Sequence, residues 1–458
     1  MPLETIEQGI TQRLEQYGRF GVHLGLERIQ RLLSDLDNPH HQVPIIHVAG
    51  TNGKGSVCAY LSSVLTAAGY RVGRYTSPHL VSWCERICLN GQPIAPAALA
   101  MTLAMVEAAI APDAETPTQF EVITAAAWLY FAQQAVDVAV IEVGLGGRLD
   151  ATNVVDAPLV SVITSLSREH WQRLGPTLAD IAGEKAGVLK AQCPAVVGPL
   201  PEAAETVVLK RAQAVGATLI RPAIAELEAT GGAKYPPDQP GQAPLRYQLP
   251  LLGPHQRVNS AIAIATLYAL RDQGWQITDA AIQTGLAQAQ WPGRLQWLNW
   301  QAPDSKPYPW LIDGAHNPAA AAALRQYRDD LQRPNLVLGE VTRLQQVGLS
   351  VPLPAATTWL MGMLSTKDHA DVFAALLRPG DRLHLVPVPG HATMAPAALQ
   401  AIALQVCPEL AACTPYETLA AGLAGAIADP NTVRVLCGSL YLLGHFLQTQ
   451  LVLPVAAN

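Results

Sequence analysis

Residues 47–57 read HVAGTNGKGSV and follow a short apolar run that begins at Val43. The next stretch, SVCAYLSSVLTAAGY, carries its apolar residues at helical spacing and runs to a glycine, Gly69. A buried strand, a glycine-rich loop and a helix are the context in which a phosphate-binding loop occurs. The usual pattern, G-x-x-x-x-G-K-[ST], is altered here because Gly55 separates Lys54 from Ser56. The stretch therefore predicts either a phosphate cradle of unusual form or an ordinary glycine-rich turn.

The residues of this loop have the chemistry that a phosphate group needs. Backbone N–H groups at Gly53 and Gly55 can point into the loop, and the positive end of the following helix favours an anion. The ammonium of Lys54 is expected to reach the outer phosphates of a nucleotide, and the hydroxyl of Ser56 is expected to lie near its metal ion. These four residues are therefore candidate nucleotide-binding residues.

Strand and helix patterns alternate along the rest of the chain. Apolar runs such as VDVAVIEVG and PLVSVITSL are separated by helical patterns such as TQFEVITAAAWLYFAQQ, as in a mainly parallel sheet. After the punctuated stretch WPGRLQW (291–297), which we interpret as a hinge, a second series of strands and Ala-rich helices begins. We expect an α/β protein with an N-terminal doubly wound domain of the P-loop ATPase type (1–293) and a smaller Rossmann-like α/β domain (294–458). The segment 339–356 fits neither pattern.

Composition excludes several classes of protein. The chain has 458 residues, a formal net charge of −6 and only 14% charged residues, which argues against a general nucleic-acid partner. Its seven cysteines form no C-x-x-C pair, as in a protein with reduced thiols. The N-terminus lacks a signal-peptide pattern, and no uninterrupted apolar run of about 18 residues occurs. We therefore expect a cytoplasmic monomer with no membrane partner.

Three polar residues follow predicted strands at the edge where ligands of open α/β sheets bind. Glu142 ends the apolar strand VDVAVIE, Ser77 follows the strand near Thr76, and His170 lies in SREHWQRLG. Carboxylate and hydroxyl oxygens suit Mg²⁺, and the apolar residues around Glu142 favour a ligand over a solvated loop acid. His170 considered alone is more typical of a core or surface histidine. These three are the candidate metal ligands.

Lys185 lies near the end of the predicted helix TLADIAGEKAGVLK. By its spacing alone it is an ordinary helix-surface lysine. An ammonium beside Mg²⁺ would be repelled, so a lysine in a metal site makes sense only if its amine is modified, for instance carboxylated by CO₂. Lys185 is therefore a candidate only under that hypothesis.

Nine motifs in one order resemble those of the folylpolyglutamate synthases and bifunctional dihydrofolate synthases, which belong to the Mur ligase superfamily. They are GTNGKGS, TSPHL, ERI..NG, T-x-FE..T, EVGLGGRLDATN, EKAG, HQ..N, PGR and DGAHNP. The resemblance extends from about residue 20 to GSLYL at 438–442. It implies that the altered glycine loop is a phosphate cradle, in the form that this superfamily uses.

The resemblance also implies roles for individual residues. It gives Gly53, Lys54, Gly55, Ser56, Asn259, Arg294 and Asp313 contacts to ATP, and Ser77, Glu142 and His170 contacts to Mg²⁺. It makes Lys185 a carboxylated lysine, and it makes His316, in the same motif as Asp313, a catalytic residue together with Lys54 and Lys185. The implied pteridine pocket consists of His23, Leu24, Gly25, Leu26, Thr118, Gln119, Phe120, Glu121, Leu149, Asp150 and Ala151. Lys367 and Asp368 match a further family motif.

The implied activity is ATP-dependent ligation of L-glutamate to dihydropteroate, to a reduced folate, or to both, through an acyl phosphate. ATP and Mg²⁺ are the implied cofactors, and K⁺ is left open. The domain 1–293 is expected to bind ATP and the pterin, and the domain 294–458 is expected to contribute to ATP and glutamate binding after closure about the hinge. Two departures from the family occur: Glu169 stands where aspartate is usual, and 339–356 is longer than usual. A Mur-type ligase acting on a cell-wall precursor and a nucleotide-regulated switch that makes no amide are the alternatives, and TSPHL, Phe120-Glu121 and DGAHNP favour folate over the first.

Overall fold

The computed structural model describes residues 3–18, 25–112, 115–228, 232–238, 241–302, 306–333, 338–350, 353–429, 431–448 and 452–453. The chain divides into two compact units. The first runs to Glu226 and also includes Ala233–Pro250 and Gln256–Gln290; the second consists of Leu227–Gly232, Leu251–His255 and the chain from Trp291 onward. The domain boundary at 293/294 and the ligand-binding role of each domain stay predictions.

The first unit is built on an eight-stranded sheet. Its strands are β1 (Ile45–Ala49), β2 (Val72–Tyr75), β3 (Ile87–Leu89), β4 (Gln92–Pro93), β5 (Val138–Glu142), β6 (Val160–Ile163), β7 (Ala195–Val197) and β8 (Leu219–Ile220). They lie in the order β4-β3-β2-β5-β1-β6-β7-β8. The six strands from β2 to β8 in that order pair in parallel, whereas β3 pairs antiparallel with β2 and β4.

Helices flank this sheet. They are α1 (Leu3–Glu15), α2 (Glu27–Asp35), α3 (Lys54–Ala67), α4 (Pro96–Ala109), α5 (Gln119–Gln133), α6 (Trp171–Leu174), α7 (Leu178–Ala186), α8 (Glu202–Val215), α9 (Gln256–Asp272) and α10 (Asp279–Gln288). Short 3₁₀ turns occupy Pro39–Gln42 and Trp83–Arg86. Every residue of β1 and β5 is buried, as expected for central strands of a parallel sheet covered on both faces.

The Pro/Gly-rich stretch after α8 holds a small separate sheet of three strands, as the sequence predicts. These are β9 (Glu226–Leu227), β10 (Gly232–Tyr235) and β11 (Leu245–Gln248), in the order β11-β10-β9.

The second unit contains a seven-stranded sheet. Its strands are β12 (Gln296–Gln301), β13 (Pro307–Ile312), β14 (Thr357–Met361), β15 (Arg382–Leu385), β16 (Ala412–Pro415), β17 (Val433–Cys437) and β18 (Val452–Leu453), and its helices are α11 (Pro318–Asp330), α12 (Leu338–Gln346), α13 (His369–Leu376), α14 (Pro396–Val406), α15 (Leu419–Ala428) and α16 (Leu440–Gln448). The strand order is β16-β15-β14-β17-β13-β12-β18. The five strands from β16 to β13 are parallel, and β12 pairs antiparallel with β13 and β18.

Both sheets confirm the predicted α/β fold, with a parallel N-terminal sheet and a separate C-terminal one. The segment that fits no sequence pattern, 339–356, begins inside α12. Across the part of the chain that the structure describes, no helix is both long and apolar enough to cross a bilayer.

Parallel strands place their carboxyl ends at one edge of a sheet, and this positions the candidate residues of the first unit. The glycine loop follows β1, Ser77 comes two residues after β2, and Glu142 is the last residue of β5. Thr164 and Ser165 follow β6, which lies on the other side of β1.

Candidate active site

The glycine loop, residues 50–56, has a backbone that side chains would obstruct. Gly50 and Gly53 have φ values of +148° and +88°, in the region that favours glycine. A Cβ atom at Gly53 would lie 2.4 Å from Oδ1 of Asn259, and one at Gly50 would lie 2.0 Å from Oγ1 of Thr164. The two glycines thus allow the loop to turn closely against α9 on one side and the segment after β6 on the other.

Hydroxyl-bearing residues after β6 hold the start of this loop. The N–H of Thr51 donates to the carbonyl of Ser165 at 2.7 Å, and the N–H of Asn52 donates to Oγ of Ser165 at 3.2 Å. The carbonyl of Asn52 accepts from Oγ1 of Thr164 at 2.7 Å and from Oγ of Ser165 at 3.0 Å. The early part of the loop is fixed by these bonds, and α3 begins at Lys54, so the first N–H groups of that helix lie at the turn of the loop.

The side chain of Lys54 folds back onto the glycine loop. Its ammonium donates to the carbonyls of Gly50 and Thr51 at 3.1 and 3.2 Å, and it lies 3.9 Å from Oε1 of Glu142. The structure therefore places the lysine amine and the carboxylate at the same edge of the sheet. Coulomb attraction between them is strengthened because the Glu142 side chain is buried.

Two of the three predicted metal ligands lie together. The backbone N–H of Ser77 donates to Oε2 of Glu142 at 3.2 Å, and the Glu142 carboxylate is only 5% exposed. His170 precedes α6 with φ +52°, its side chain is 43% exposed, and its Nε2 lies 3.9 Å from Oε1 of Glu169. The hard oxygens of Ser77 and Glu142 fit a divalent cation.

Among the described residues, no three His, Cys, Asp or Glu side chains group closely enough to hold a metal ion by themselves. A cation at Glu142 would therefore need other oxygens, such as those of the Ser77 hydroxyl, phosphate groups or a modified lysine. Ser and phosphate oxygens are common partners of Mg²⁺, which usually binds through one or two carboxylates.

Lys185 is buried, which differs from the surface position that spacing alone predicts. Its side chain lies in the last turn of α7 and is 4% exposed, and Nζ donates to the carbonyl of Gly50 at 2.8 Å. Burial, together with the nearby charge of Lys54, lowers the pKa of Lys185 to about 7. Glu169, the residue that departs from the family pattern, has an attractive interaction with the Lys185 amine that partly opposes this shift.

The carbonyl of Gly50 is thus the point at which two lysines meet. It accepts from Lys185 at 2.8 Å and from Lys54 at 3.1 Å. Because two ammonium groups at one carbonyl repel each other, a neutral amine at Lys185 is favoured. A neutral amine is the form that can react with CO₂.

The predicted pteridine residues 118–121 form the start of α5. Thr118 and Glu121 make a capping box, since Oγ1 of Thr118 accepts from the N–H of Glu121 and the carboxylate of Glu121 accepts from the N–H of Thr118. Glu121 also accepts from Nε of Arg28 at 3.1 and 3.2 Å. Gln119 donates to the carbonyl of Leu14 at 3.0 Å.

Phe120 lies against the loop that follows β5. A Cβ atom at Gly144 would be 2.4 Å from Cζ of Phe120, and the ring centroids of Phe120 and Tyr75 lie 6.2 Å apart. The structure therefore brings Phe120 next to the same loop, residues 144–153, that carries Leu149, Asp150 and Ala151.

The carboxylate of Asp150 accepts hydrogen bonds from within that loop. It is 5% exposed and accepts from the N–H groups of Leu145 and Thr152 at 2.8 and 3.0 Å. The remaining members of the predicted pocket lie before α2. A Cβ atom at Gly25 would collide with the carboxylate of Glu27, and Leu26 packs against the core of the first unit. His23 and Leu24 lie outside the described residues.

The second unit brings Arg294, Asp313 and His316 together. Asp313 is 8% exposed and accepts from the N–H groups of Leu295 and Ala315, both at 2.8 Å. Burial raises the pKa of Asp313, and Arg294 opposes this rise. Nδ1 of His316 donates to the carbonyl of Gly314 at 2.7 Å, and His316 also acts electrostatically on Asp313.

Sequence reasoning did not assign a role to Gln256. Its Nε2 donates to Oγ of Ser56 at 3.2 Å, and its Oε1 accepts from Nδ2 of Asn259 at 3.1 Å. The spacing of three residues within HQ..N puts Gln256 and Asn259 on one face of α9, and this signal is sufficient to predict the pair. Thr164, Ser165 and Arg28 were also missed, and no local pattern distinguishes them from other polar loop or helix residues.

Comparison with known proteins agrees with this geometry. The family models of the Mur ligase middle domain and of the dihydrofolate synthetase C-terminal domain match residues 48–267 and 296–449. The chain is 37% identical to the folylpolyglutamate synthase of Lacticaseibacillus casei, over 93% of this chain and 94% of that protein. It is 34% identical to the dihydrofolate synthase/folylpolyglutamate synthase of Escherichia coli, over 93% and 91%.

Solved structures give the same relationship. Mycobacterium tuberculosis folylpolyglutamate synthase complexed with ADP and AMPPCP matches with a TM-score of 0.79 and 31% identity, over 97% of this chain and 98% of that one. The bifunctional enzyme of Yersinia pestis complexed with AMPPNP and a Mn ion matches with a TM-score of 0.76 and 30% identity, over 98% and 97%. The chain belongs to the folylpolyglutamate synthase and dihydrofolate synthase family of ATP-dependent ligases.

Proposed function

We propose that this protein joins L-glutamate to the carboxylate of dihydropteroate, of a reduced folate, or of both, at the expense of ATP. The observation that carries the proposal is the convergence of Lys54, Lys185 and Glu142 on the glycine loop. A loop contacted by the Lys54 ammonium and the Lys185 amine, beside a buried carboxylate, suits the transfer of a phosphoryl group better than it suits nucleotide binding alone. The relatives' names and nucleotide complexes support the same activity.

The carboxylate needs activation because its oxygen is a poor leaving group. In the first step a carboxylate oxygen attacks the γ-phosphorus of ATP, and ADP leaves. The resulting acyl phosphate is attacked at its carbonyl carbon by the amine of glutamate, and the tetrahedral intermediate loses phosphate to give the amide. Lys54, now bonded to the carbonyls of Gly50 and Thr51, is proposed to turn to the transferring phosphoryl group and offset its charge.

The proposed metal is Mg²⁺, held by Glu142 and Ser77, with His170 as a further ligand; K⁺ stays an open addition. When bound, such a cation supplies charge neutralisation at the phosphate oxygens. Glu142 is suited to this role because it is buried and already oriented by the N–H of Ser77. The exposed position of His170 supports a weaker contribution from it.

Lys185 is proposed to carry a carboxylated amine. The lone pair of the neutral amine attacks CO₂, an N–C bond forms, and the amine proton leaves to solvent, so the product is a carbamate anion. Burial next to Lys54 favours the neutral amine and would also stabilise the anion by attraction to the Lys54 ammonium. A carbamate oxygen could then complete the oxygen set around Glu142.

In the second unit, Arg294 lies just before β12 and Asp313 directly follows β13. We propose that Arg294 and Asp313 contact ATP and that His316 takes part in catalysis; Asn259, on α9 of the first unit, is proposed as a further ATP contact. Asp313 is preorganised by two backbone N–H donors, which fix its carboxylate before any ligand arrives.

The pteridine is proposed to lie along Phe120 and residues 149–151, with Thr118 and Glu121 shaping the pocket through the capping box. Phe120 offers an aromatic face beside the loop after β5.

The test is production of ADP by the purified protein with dihydropteroate and, separately, with tetrahydrofolate, each with and without L-glutamate. Turnover that requires glutamate, with one glutamate incorporated per ADP, supports the proposal, and the preferred pterin tells which of the two activities the chain has. A UDP-linked muramyl precursor is the control substrate for a Mur-type ligase. Turnover with that precursor alone, or ADP release that is independent of glutamate, would contradict it.

A further inference from the structure

His47 is a polar residue in β1, a strand of the first unit in which every residue is buried. It lies in the middle of β1 between β5 and β6, its side chain is 1% exposed, and the other four residues of the strand are apolar. Burying an imidazole in such a strand is unfavourable unless its N–H finds an acceptor. The acceptor is Oγ1 of Thr152, 2.9 Å from Nε2 of His47.

The hydrogen bonds from His47 to Asp150 have one direction. Oγ1 of Thr152 lies 2.5 Å from Oδ1 of Asp150 and donates its single proton to that carboxylate. The Thr152 oxygen must therefore accept from His47, which places the imidazole proton on Nε2. Burial and the nearby charge of Lys190 lower the pKa of His47 to about 3, so the imidazole is neutral.

Asp150 in turn fixes the shape of the loop, residues 144–153. Its Oδ2 accepts from the N–H of Leu145 at 2.8 Å, and its Oδ1 accepts from the N–H of Thr152 at 3.0 Å. One carboxylate thus ties both ends of the loop together. Phe120 packs on Gly144 at one end, while the N–H of Arg148 donates to the carbonyl of Glu184 at 2.7 Å, next to Lys185 on α7.

We propose that His47 is a positioning residue for the pterin substrate, acting through Thr152 and Asp150 on the loop 144–153. The neutral imidazole donates from Nε2, directs the Thr152 hydroxyl at Asp150, and so holds the carboxylate between the two ends of the loop. His47 does not touch the reacting atoms and transfers no proton. The inference rests on the proposed function, since the substrate meant is the pterin proposed to lie along this loop.

The kinetic test compares variants that keep or remove each donor. His47→Leu and Thr152→Val remove a donor, and we expect each to raise KM for the pterin about tenfold while KM for ATP changes less than about twofold. His47→Gln and Thr152→Ser retain a donor and should recover KM to within about threefold of wild type. The double variant His47→Leu/Thr152→Val should be no worse than the more damaging single variant, because both changes break one chain of bonds.

Thr266→Val is the matched control, because Thr266 is equally buried and its hydroxyl donates to a carbonyl within α9, away from the loop. It should leave both KM values unchanged. An equal rise in KM for ATP and in KM for the pterin in all His47 and Thr152 variants would show a purely structural role and overturn the proposal. Failure of the donor-retaining variants to recover KM for the pterin would do the same.

A second measurement does not depend on activity. In protein labelled with ¹⁵N-histidine, the signal missing in His47→Gln identifies His47, and we expect a neutral Nε2–H tautomer from pH 5 to 8. An Nδ1–H tautomer or an imidazolium in that range would contradict the proposed chain of hydrogen bonds from His47 to Asp150, even in an active enzyme. If the wild type shows no glutamate-dependent turnover with any pterin, the proposed function fails. The tautomer of His47 still decides whether the chain of hydrogen bonds to Asp150 exists.

Discussion

Replacing Lys185 by methionine should abolish activity and yet stabilise the protein at acidic pH. The lysine amine is buried at the carbonyl of Gly50, and its pKa falls from 10.5 to about 7. That pKa difference corresponds to about 5 kcal/mol of unfavourable free energy for the charged amine in the folded protein, at about 1.4 kcal/mol per pH unit. Methionine has a similar length and no charge, so it removes this unfavourable term and loses one hydrogen bond, worth about 1 kcal/mol.

The sign of the pH dependence follows from proton binding. Between pH 7 and 10.5 the unfolded state binds more protons at Lys185 than the folded state, so wild-type stability rises with pH across this window. Below pH 7 the destabilisation is fully present. The advantage of Lys185→Met in free energy of unfolding should therefore be largest at pH 6 and should shrink by about 2–3 kcal/mol at pH 9.

The assay is urea unfolding of both proteins at pH 6 and pH 9 in CO₂-free buffer, with Lys210→Met as the control. Lys210 is exposed on α8, so its replacement should change stability by less than about 0.5 kcal/mol and should keep activity. Bicarbonate should stabilise the wild type, because a ligand that reacts only with the folded state raises its stability, and should leave Lys185→Met unaffected. A Lys185→Met protein that is active, or that is less stable than wild type at pH 6 with no dependence on pH, would refute the reasoning.

Three further predictions concern the phosphate and metal groups. Lys54→Ala should keep the fold, seen by circular dichroism, but lower kcat by about a thousandfold, because it removes charge from the phosphoryl transfer; near-normal turnover would exclude the phosphate-loop role. Glu142→Ala should raise the Mg²⁺ concentration needed for half-maximal activity by about tenfold or more, with a smaller effect for the 43% exposed His170; an unchanged metal titration in both variants would contradict the metal site. Arg294→Ala should raise KM for ATP by about tenfold with wild-type thermal stability, and equal KM values would remove Arg294 from the nucleotide site.

Local patterns were enough to predict the fold and the elements around the glycine loop. The apolar run before Gly50 and the helical spacing after it gave β1 and α3, because both signals come from neighbours in sequence. Glu142 and Ser77 were predicted to be close because parallel strands share an edge, and the structure places them in contact.

Other features depend on residues that are distant in sequence. Spacing alone put Lys185 on a helix surface, whereas tertiary packing buries it at the carbonyl of Gly50, 135 residues away. His47, Thr152 and Asp150 looked like one polar residue in a strand and two loop residues, and only the fold brings them into one chain of hydrogen bonds. The helix over Leu338–Gln346 was not predicted, since the segment 339–356 was assigned to neither a strand nor a helix pattern.

The fate of a carboxylate oxygen tests directly whether the substrate carboxylate is activated as an acyl phosphate. The pterin substrate is prepared with ¹⁸O in the carboxylate and incubated with ATP, L-glutamate and Mg²⁺, and the released phosphate is analysed by mass spectrometry. Because the attacking carboxylate oxygen leaves with the phosphoryl group, we expect one ¹⁸O atom in each phosphate from doubly labelled substrate. Amide product accompanied by unlabelled phosphate would contradict the mechanism.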